Sequence, residues 1–371
     1  MSKQIPLAKP FLSELEALNV QLSVESGWLT QSGAFVTEME RHIGNHINGS
    51  DSSLGATTTS NGTTALHLVL MSLGIGQGDE VIVPDFGYIA PVNSILMCGA
   101  TPVVVDVDIN SWCLDPVLVS RAITDKTRAV IAIDNYGVLA KIQEIKKMIP
   151  GHIPVVEDAA ESFPSLSKFT NGIFTGDFVT TSFYANKILT SAEGGAITGP
   201  KKNIEKIQSL KNQSVKDKGA FEHIDIGYNY RISNLHAALF VSQWERLPII
   251  LENRVRVFDQ YFSCLAKEGI QFESNQFPTY TNPWLMTIRL TDLNSTIQVV
   301  RNRLSKQGIE TRPGFKPASK HEYLTGKLKV SGASENANLL YNQIISLPTY
   351  PELTNMEIEY ICGSLKKALT I

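Results

Sequence analysis

The sequence predicts an α/β protein with a mostly parallel central sheet, followed by a smaller α+β domain. Between about residues 54 and 200, short runs rich in Val and Ile alternate with stretches of helical periodicity. These runs are continuously apolar rather than alternating, which is typical of strands that helices cover on both faces. Beyond about residue 232 the pattern changes to long helices and few strands.

Six strands are predicted in the first of these regions. They span residues 80–84, 102–106, 129–134, 154–157, 178–184 and 195–198. The helices between them include residues 63–73, 89–98 and 141–148. In the second region we expect helices at 235–247 and 250–266, broken at Pro248, then a strand at 284–290 and helices at 296–306 and 356–368.

The same pattern divides the chain into three parts. Residues 1–50 are expected to form an N-terminal arm, in which residues 27–30 form a loop. Residues 51–245 would form the large α/β domain, and residues 246–371 the small α+β domain. A chain of 371 residues has room for two domains and a large core.

The composition is that of an ordinary globular protein and excludes several classes. Lys and Arg number 33 and Asp and Glu number 36, so the net charge is −3. A near-neutral surface gives no electrostatic basis for binding nucleic acid or an anionic membrane as a whole. No apolar run approaches the ~18–20 residues of a membrane span, and no signal peptide is expected. Four scattered cysteines without a CxxC pair indicate reduced thiols in the cytoplasm.

A run of small residues, 60–64 (SNGTT), precedes a predicted apolar helix. Small residues let the backbone approach a ligand closely, and the first N–H groups of a helix bind anions such as phosphate. Ser, Thr and Asn are also the preferred N-cap residues, so an ordinary helix cap is the alternative.

Three further candidates follow predicted strands, where ligands bind in an open parallel sheet. Asp158 would be a buried carboxylate in need of a partner such as a positively charged ring nitrogen, or else a helix N-cap. Lys187 would have a lowered pKa and act as a nucleophilic amine if it faces a cleft, although most lysines are surface charges. Tyr88 would stack on a planar ligand, although most aromatic residues belong to the core.

A phosphate cradle, a stacking ring, an acid for a ring nitrogen and a lysine amine are the parts of a pyridoxal phosphate site. The sequence therefore predicts that cofactor. Asp106 and Asp108 suggest a metal-binding pair, but no His or Cys near them completes a site, and no metal is expected.

The sequence resembles the DegT/DnrJ/EryC1/StrS family of pyridoxal-phosphate sugar aminotransferases. The resemblance implies fold type I of the pyridoxal-phosphate-dependent transferases, which is the aspartate-aminotransferase-like fold. The matching stretches occur in family order over nearly the whole chain, at residues 27–30, 60–70, 73–84, 157–161, 176–195, 227–238, 309–313 and 346–353.

The resemblance also implies a role for each matching residue. Lys187 would bind the cofactor covalently and then shuttle a proton, while Asp158 would pair with the ring nitrogen. Tyr88 would stack on the ring, and Glu161 would lie beside its 3′-oxygen. The other expected cofactor ligands are Ser60, Asn61, Gly62, Thr63, Ser182 and Asn229, the last contributed by the neighbouring subunit of a homodimer. The expected substrate-binding residues are Trp28, Arg231, Arg312 and Lys316.

The implied reaction moves an amino group from L-glutamate to a nucleotide-linked 4-keto-6-deoxy sugar, with pyridoxamine phosphate as the intermediate form of the cofactor. The nearest resemblance within the family is to enzymes that aminate GDP-4-keto-6-deoxymannose and give GDP-perosamine. Such amino sugars enter surface polysaccharides such as the O-antigen of lipopolysaccharide. The alternatives are a dTDP- or UDP-linked 3- or 4-keto sugar, an unactivated keto sugar, and a non-enzymatic effector-binding protein.

The sequence departs from the family pattern near the expected substrate. Family members often have a His within the segment that here reads DNYG, at residues 134–137. Perosamine-forming relatives tend to have an aromatic residue after an Arg-Pro pair and a His a few positions later. Here Arg312 and Pro313 are followed by Gly314, and Ser319 stands near the place of the His.

Overall fold

The computed structural model describes residues 4–165, 174–216, 221–275 and 282–370. The first elements, in chain order, are α1 (Glu14–Glu25), α2 (Ala34–Asn48), β1 (Leu54–Thr59), α3 (Gly62–Ser72), β2 (Glu80–Pro84), α4 (Ala90–Met97), β3 (Thr101–Val105), α5 (Pro116–Ala122), β4 (Thr127–Ile133), α6 (Ile142–Met148), β5 (Val155–Asp158), β6 (Phe178–Ser182) and β7 (Gly195–Pro200). The later elements are α7 (Lys201–Lys211), α8 (Asn234–Glu245), α9 (Leu247–Lys267), β8 (Phe272–Glu273), β9 (Met286–Leu290), α10 (Ile297–Lys306), β10 (Arg312–Pro313), β11 (Lys329–Ser331), α11 (Glu335–Gln343), β12 (Ile344–Leu347) and α12 (Asn355–Thr370). Within these ranges, no helix has the length and apolar character to cross a membrane.

Eight strands form the large sheet, in the order β1-β7-β6-β5-β4-β2-β3-β11. From β6 to β11 every neighbouring pair is parallel, whereas β7 runs antiparallel to both β1 and β6. Residues of the central strands, such as Val83, Ile131 and Val156, are fully buried. All six predicted strands are present, and the predicted mostly parallel α/β sheet is confirmed.

Two strands of the large sheet were not predicted. β1 reads LGATTT and lacks the Val and Ile of the other strands. The buried hydroxyl groups of Thr57 and Thr58 donate hydrogen bonds to the Glu40 carboxylate, at 3.1 and 2.9 Å, and these bonds offset the cost of burying them. β11 contains three residues and comes from the C-terminal part of the chain, where it pairs with β3. Neither strand has an apolar run that periodicity would detect.

The predicted N-terminal arm contains two helices. α1 and α2 both pack against α8, and residues 27–30 lie in the connection between them. Ser13 and Glu16 form a capping box at the start of α1. The buried Glu16 carboxylate also accepts hydrogen bonds from Gln243 and Arg246, at 2.6 and 2.7 Å, and so fixes α1 to α8. The boundaries of the arm and of the two domains stay predictions.

The C-terminal part contains a four-stranded antiparallel sheet in the order β10-β12-β9-β8. Apolar residues of α9, α10 and α12 pack with this sheet in a separate hydrophobic cluster. A helix break is present near the predicted position, but it falls at Arg246, between α8 and α9, and not at Pro248. Pro248 lies in the first turn of α9, where its missing N–H costs no hydrogen bond. Near the start of the chain, the Ile5 N–H donates to the Gly308 carbonyl, and the Leu7 N–H donates to the Glu310 carboxylate.

Two carboxylates at strand ends bind the C-terminal part of the chain. Asp85, after β2, accepts hydrogen bonds from the N–H and hydroxyl of Ser319, at 2.8 and 2.6 Å. Asp106, after β3, accepts from the N–H groups of Asn336 and Ala337 at the start of α11. Asp108 accepts N–H groups of its own turn. These bonds hold the segment after β10 against the carboxyl edge of the large sheet.

We predict that Glu16→Ala destabilises the protein by about 3 kcal/mol, because it leaves the Arg246 guanidinium without its buried partner. Chemical denaturation of both proteins measures the difference in free energy of unfolding. Glu14→Ala is the matched control, since Glu14 is an exposed residue of the same helix turn and its loss should change stability by less than about 0.5 kcal/mol.

The hydrogen bonds to Glu16 lower the pKa of its carboxyl, although burial opposes them. A carboxyl whose pKa is lower in the folded state stabilises above its ordinary pKa and loses that contribution as the pH falls through the folded-state value. The difference in free energy of unfolding between the wild type and Glu16→Gln should therefore decrease below about pH 4.5. A gap that widens in acid would contradict this assignment.

Candidate active site

The strand ends bring Asp158 and Lys187 to the same edge of the large sheet. Asp158 is the last residue of β5, which pairs in parallel with β6, opposite Thr180. Lys187 lies in the turn that follows β6, where its N–H donates to the Tyr184 carbonyl at 2.8 Å. Because parallel neighbours end at the same edge, the two predicted residues lie in one cleft.

The Lys187 amine is held against an aromatic ring and near two carboxylates. Its Nζ lies 4.1 Å from the centroid of the Trp284 ring. Burial lowers the pKa of Lys187, while the Glu161 and Asp158 carboxylates raise it and Arg312 lowers it further. The net shift is downward, so this amine is a better nucleophile at neutral pH than a surface lysine.

Asp158 is a buried acid with few hydrogen bonds. Among the described residues its side chain accepts one, from the Ala160 N–H at 3.1 Å. Burial raises the pKa of Asp158 to about 6, opposed by that hydrogen bond and by Lys187. Asp134 and Glu157, beside it, each accept two hydrogen bonds. Asp158 is thus the carboxylate of this group that has capacity for a further partner.

Glu161 is the second carboxylate near Lys187. It is buried, and its Oε2 accepts the Tyr136 N–H at 2.8 Å. Burial raises the pKa of Glu161 to about 7, while Lys187 and the Tyr136 N–H lower it. Tyr136 has a left-handed backbone with a φ of 54°, a conformation that is uncommon for an aromatic residue and frequent at functional sites.

Stacked aromatic rings form one wall of the cleft. The Tyr136 ring stacks on Phe315, with centroids 5.0 Å apart, and on Trp284, with centroids 6.3 Å apart. Tyr88 contacts Phe315 edge-on at 6.2 Å, and 60% of its surface is exposed. The exposed ring of Tyr88 leaves a face available for a planar ligand.

The start of α3 lies close to the end of β6 because glycines permit it. A Cβ added to Gly62 would lie 3.0 Å from the Ser182 Cβ, and one added to Gly195 would lie 2.6 Å from the Asn61 carbonyl. Asn61 caps the helix through the Thr64 N–H at 2.9 Å. The first intrahelical bond runs from Ala65 to Asn61, so the N–H groups of Gly62 and Thr63 precede it and can bind an anion.

The structure places the remaining predicted residues at varying distance from Lys187. Arg312 acts electrostatically on both Lys187 and Glu161, and therefore borders the cleft. Arg231 donates to Asn229 at 2.9 Å and to Asn212 at 2.6 Å, which makes these residues one cluster. Trp28 is 60% exposed, and its carbonyl accepts a hydrogen bond from Asn234. Lys316 is exposed and has no hydrogen bond or ion pair to the rest of the described chain.

Sequence reasoning missed Trp284 and Phe315 as residues of the cleft. Trp284 was included in a predicted strand, and Phe315 follows an Arg-Pro pair without any distinctive pattern. Both come from the C-terminal part of the chain, more than ninety residues beyond Lys187. The approach of Phe315 depends on the bonds of Asp85 to Ser319, and that of Trp284 on the bonds of Arg254 to its backbone; no local sequence pattern indicates either contact. No group of three or more acidic, His or Cys side chains within the described ranges could hold a metal ion.

Comparisons with known proteins identify relatives over nearly the whole chain. The profile of the DegT/DnrJ/EryC1/StrS aminotransferase family matches residues 10–366. The chain is 34% identical to the GDP-perosamine synthase of Vibrio cholerae and 33% identical to that of Escherichia coli O157:H7, with 98% of both chains covered in each case. Among solved structures, the PLP form of the sugar aminotransferase Spr1654 from Streptococcus pneumoniae matches with a TM-score of 0.90, 25% identity and 99% coverage of each chain.

We predict that Glu161→Gln lowers the pKa of the Lys187 amine by about one unit, because it removes a nearby negative charge that favours the ammonium form. The pH dependence of Lys187 acetylation by acetic anhydride, followed by peptide mass spectrometry, measures this pKa in the ligand-free protein.

Glu193→Gln provides the matched control, because Glu193 is an exposed acid six residues beyond Lys187 and should leave its pKa unchanged. An unchanged or higher pKa of Lys187 in Glu161→Gln would show that Glu161 does not act on this amine.

Proposed function

This chain belongs to the DegT/DnrJ/EryC1/StrS aminotransferase family, and from that premise we propose that it transfers the amino group of L-glutamate to a nucleotide-linked 4-keto-6-deoxy sugar. The protein is a pyridoxal-phosphate-dependent aminotransferase. Its favoured acceptor is GDP-4-keto-6-deoxymannose and its product GDP-perosamine, since the relatives at 33 and 34% identity over 98% of the chain are GDP-perosamine synthases.

The observation that carries the proposal is the buried amine of Lys187 in a cleft with the Asp158 carboxyl. The surroundings fit pyridoxal phosphate in two further respects. Asp158 accepts a single hydrogen bond among the described residues and has capacity for a protonated ring nitrogen. A Cβ on Gly62 would lie 3.0 Å from the Ser182 Cβ, so glycine permits the close approach of the start of α3 to Ser182, where free N–H groups can bind a phosphate group.

Pyridoxal phosphate, when bound, supplies an aldehyde that combines with amines and a ring that withdraws electrons from the adjacent carbon. Lys187 would hold the cofactor through its Nζ. The carboxylate of Asp158 would keep the ring nitrogen protonated, and the N–H groups of Gly62 and Thr63, with the Ser182 hydroxyl, would bind the phosphate.

Lys187 has a second task after it is released from the cofactor. Its Nζ would move a proton between the substrate carbon and C4′ of the cofactor, as a base toward one carbon and as an acid toward the other, and its lowered pKa favours the neutral form that accepts the proton. Arg312 and Lys316 would bind the acidic groups of the substrates from the C-terminal part of the chain. Trp28 and Arg231 would bind the substrate from the loop before α2 and the segment before α8.

We also propose that the enzyme is a homodimer with shared active sites. Asn229 lies in a partly exposed cluster with Arg231 and Asn212 and would reach the cofactor phosphate of the neighbouring subunit. Exposed apolar side chains in the preceding segment, Phe221, Ile224 and Ile226, support a partner at this surface.

We further propose the cytoplasm as its location. The four cysteines are free thiols, and burial raises the pKa of the Cys98 thiol to about 12, which makes this thiol unreactive. Free thiols are typical of a reducing compartment such as the cytoplasm.

We predict that Lys187→Ala reduces transfer from glutamate by at least about a thousandfold, because the variant loses the amine that would serve as both cofactor ligand and proton carrier. Borohydride reduction of the wild-type holoenzyme should fix the cofactor to the peptide that contains Lys187. Lys202→Ala, an exposed lysine of α7, is the control and should retain activity. Attachment at a different lysine would refute the assignment.

The acceptor is tested with the wild-type enzyme and a panel of keto sugars. GDP-4-keto-6-deoxymannose should give the highest kcat/KM. Faster transfer to a dTDP- or UDP-linked keto sugar, or to an unactivated keto sugar, would replace the acceptor while leaving the aminotransferase chemistry intact. Absence of transfer to any ketone would favour an effector-binding protein.

We predict that coexpressed Lys187→Ala and Asn229→Ala chains restore activity that neither variant has alone. A hybrid dimer contains one site with both native residues and one site with neither, so the copurified hybrids should have about half of wild-type activity. The measurement is glutamate turnover of differently tagged, copurified hybrids. Activity no higher than the mean of the two parent variants would show that Asn229 does not act across subunits.

A further inference from the structure

The Trp284 ring forms one side of the space around the Lys187 amine. The distance of 4.1 Å from Nζ to the ring centroid is within the range of a cation–π contact. Trp284 is 3% exposed, so water does not screen this contact from the indole side. The indole Nε1 donates to the Asn186 carbonyl at 2.8 Å, which fixes the ring beside the residue that precedes Lys187.

The backbone at Trp284 is fixed by a buried arginine. Arg254, on α9, is 3% exposed and donates from Nη1 to the carbonyls of Pro283 and Trp284, at 3.3 and 2.8 Å. In the same segment, the Asn282 amide donates to the Glu161 carbonyl at 3.1 Å. The two bonds of the guanidinium to one short segment restrain the backbone that carries the ring.

The ring differs from the carboxylates that also face the amine. The charged groups around Lys187 are Glu161 and Asp158, from the end of β5, and Arg312, from β10. Burial raises the pKa of Glu161 to about 7 and that of Asp158 to about 6, so these two acids lose charge as the pH falls toward these values. An indole face attracts an ammonium group at any pH, because its quadrupole does not titrate.

We propose that Trp284 is a positioning residue whose indole face holds the Lys187 amine in place and favours its ammonium form whenever that amine is not bonded to the cofactor. This inference rests on the proposed function, in which Lys187 is released and must return a proton to the substrate carbon. The role requires an aromatic ring at this position, not merely an apolar side chain of similar size.

The first test measures the pKa of Lys187 in cofactor-free protein by its acetylation profile. In Trp284→Leu the pKa should fall by about one unit, which corresponds to about 1.4 kcal/mol. In Trp284→Phe, which keeps a ring but loses the bond to Asn186, it should fall by less than half as much. Trp244→Phe is the matched control, since Trp244 packs against Phe163 and Phe240 and should leave the pKa unchanged.

Two results of this test would overturn the proposal. A Lys187 pKa in Trp284→Leu equal to that of the wild type would show that the ring does not act on the amine. Equal decreases in Trp284→Leu and Trp284→Phe would show that the loss of packing or of the Asn186 bond is responsible. Circular dichroism of each variant confirms that the fold is retained before the pKa is compared.

The second test changes the ring without changing its shape. Site-specific incorporation of tryptophan with one, two and three fluorine atoms at position 284 weakens the negative face of the ring in steps. The Lys187 pKa should fall with each fluorine atom. A Lys187 pKa that does not change with the number of fluorine atoms would overturn the proposal, even if Trp284→Leu failed to fold.

The holoenzyme provides a functional readout. Because a lower pKa leaves the Lys187 amine neutral at lower pH, the acidic limb of the kcat profile should move to lower pH by about one unit in Trp284→Leu. KM for glutamate should change by less than about twofold, since Trp284 acts through Lys187. A change in KM for glutamate without a shift of the acidic limb of the kcat profile would show that Trp284 acts in substrate binding, and would refute the proposal.

These tests separate the inference from the proposed function. The acetylation profiles need neither cofactor nor substrate, so they report the contact between Trp284 and Lys187 even if no keto sugar is aminated. If the profiles follow the fluorine series while every acceptor fails, the ring contact stands and the proposed acceptor does not.

Discussion

The desolvation of one lysine amine is the constraint on which the site depends. A surface lysine is protonated at neutral pH and is a poor nucleophile, so the role that we propose for Lys187 requires its amine to lose water without forming a permanent ion pair. Burial supplies the first condition. Glu161 and Asp158 meet the second, because their own burial raises their pKa values to about 7 and about 6 and makes them incomplete partners. Burial thus disfavours the charged forms of all three groups, and the two acids attract the Lys187 ammonium less strongly than fully ionised carboxylates would.

The fold maintains this balance by bringing distant segments to one edge of the sheet. The parallel pairing of β5 with β6 places the acid and the amine on neighbouring strand ends. The close approach of Gly195 to Asn61 brings the start of α3 to the same edge. The aromatic wall comes from the C-terminal part, held there by the bonds of Asp85 to Ser319 and of Asp106 to α11. Asp85 and Asp106, after β2 and β3, therefore stabilise the fold, whereas the acids at and after the end of β5 lie near Lys187.

The sequence predicted the parts of the fold that periodicity encodes. Continuous Val and Ile runs identified β2 to β7, and the rule that ligands bind at strand ends selected Asp158 and Lys187. The strand β1 was not predicted because its buried residues are threonines. The hydroxyls of Thr57 and Thr58 donate hydrogen bonds to Glu40 of α2. Trp284 was not predicted as a site residue for a similar reason. Its contact with Lys187 depends on a distant residue, Arg254, which donates a hydrogen bond to the Trp284 carbonyl. Interactions between distant segments leave no local pattern, whereas apolar strands and helix caps do.

The bond between Leu7 and Glu310 joins residues 303 positions apart. During synthesis, the β-bridge between Ile5 and Ile309 therefore cannot form until residues near 309 have left the ribosome. The large sheet, apart from β11, comes from residues 54–200 and is complete long before that point. We expect a nascent chain in which most of the large sheet forms first and the early residues join the small sheet region only after residue 309 has emerged.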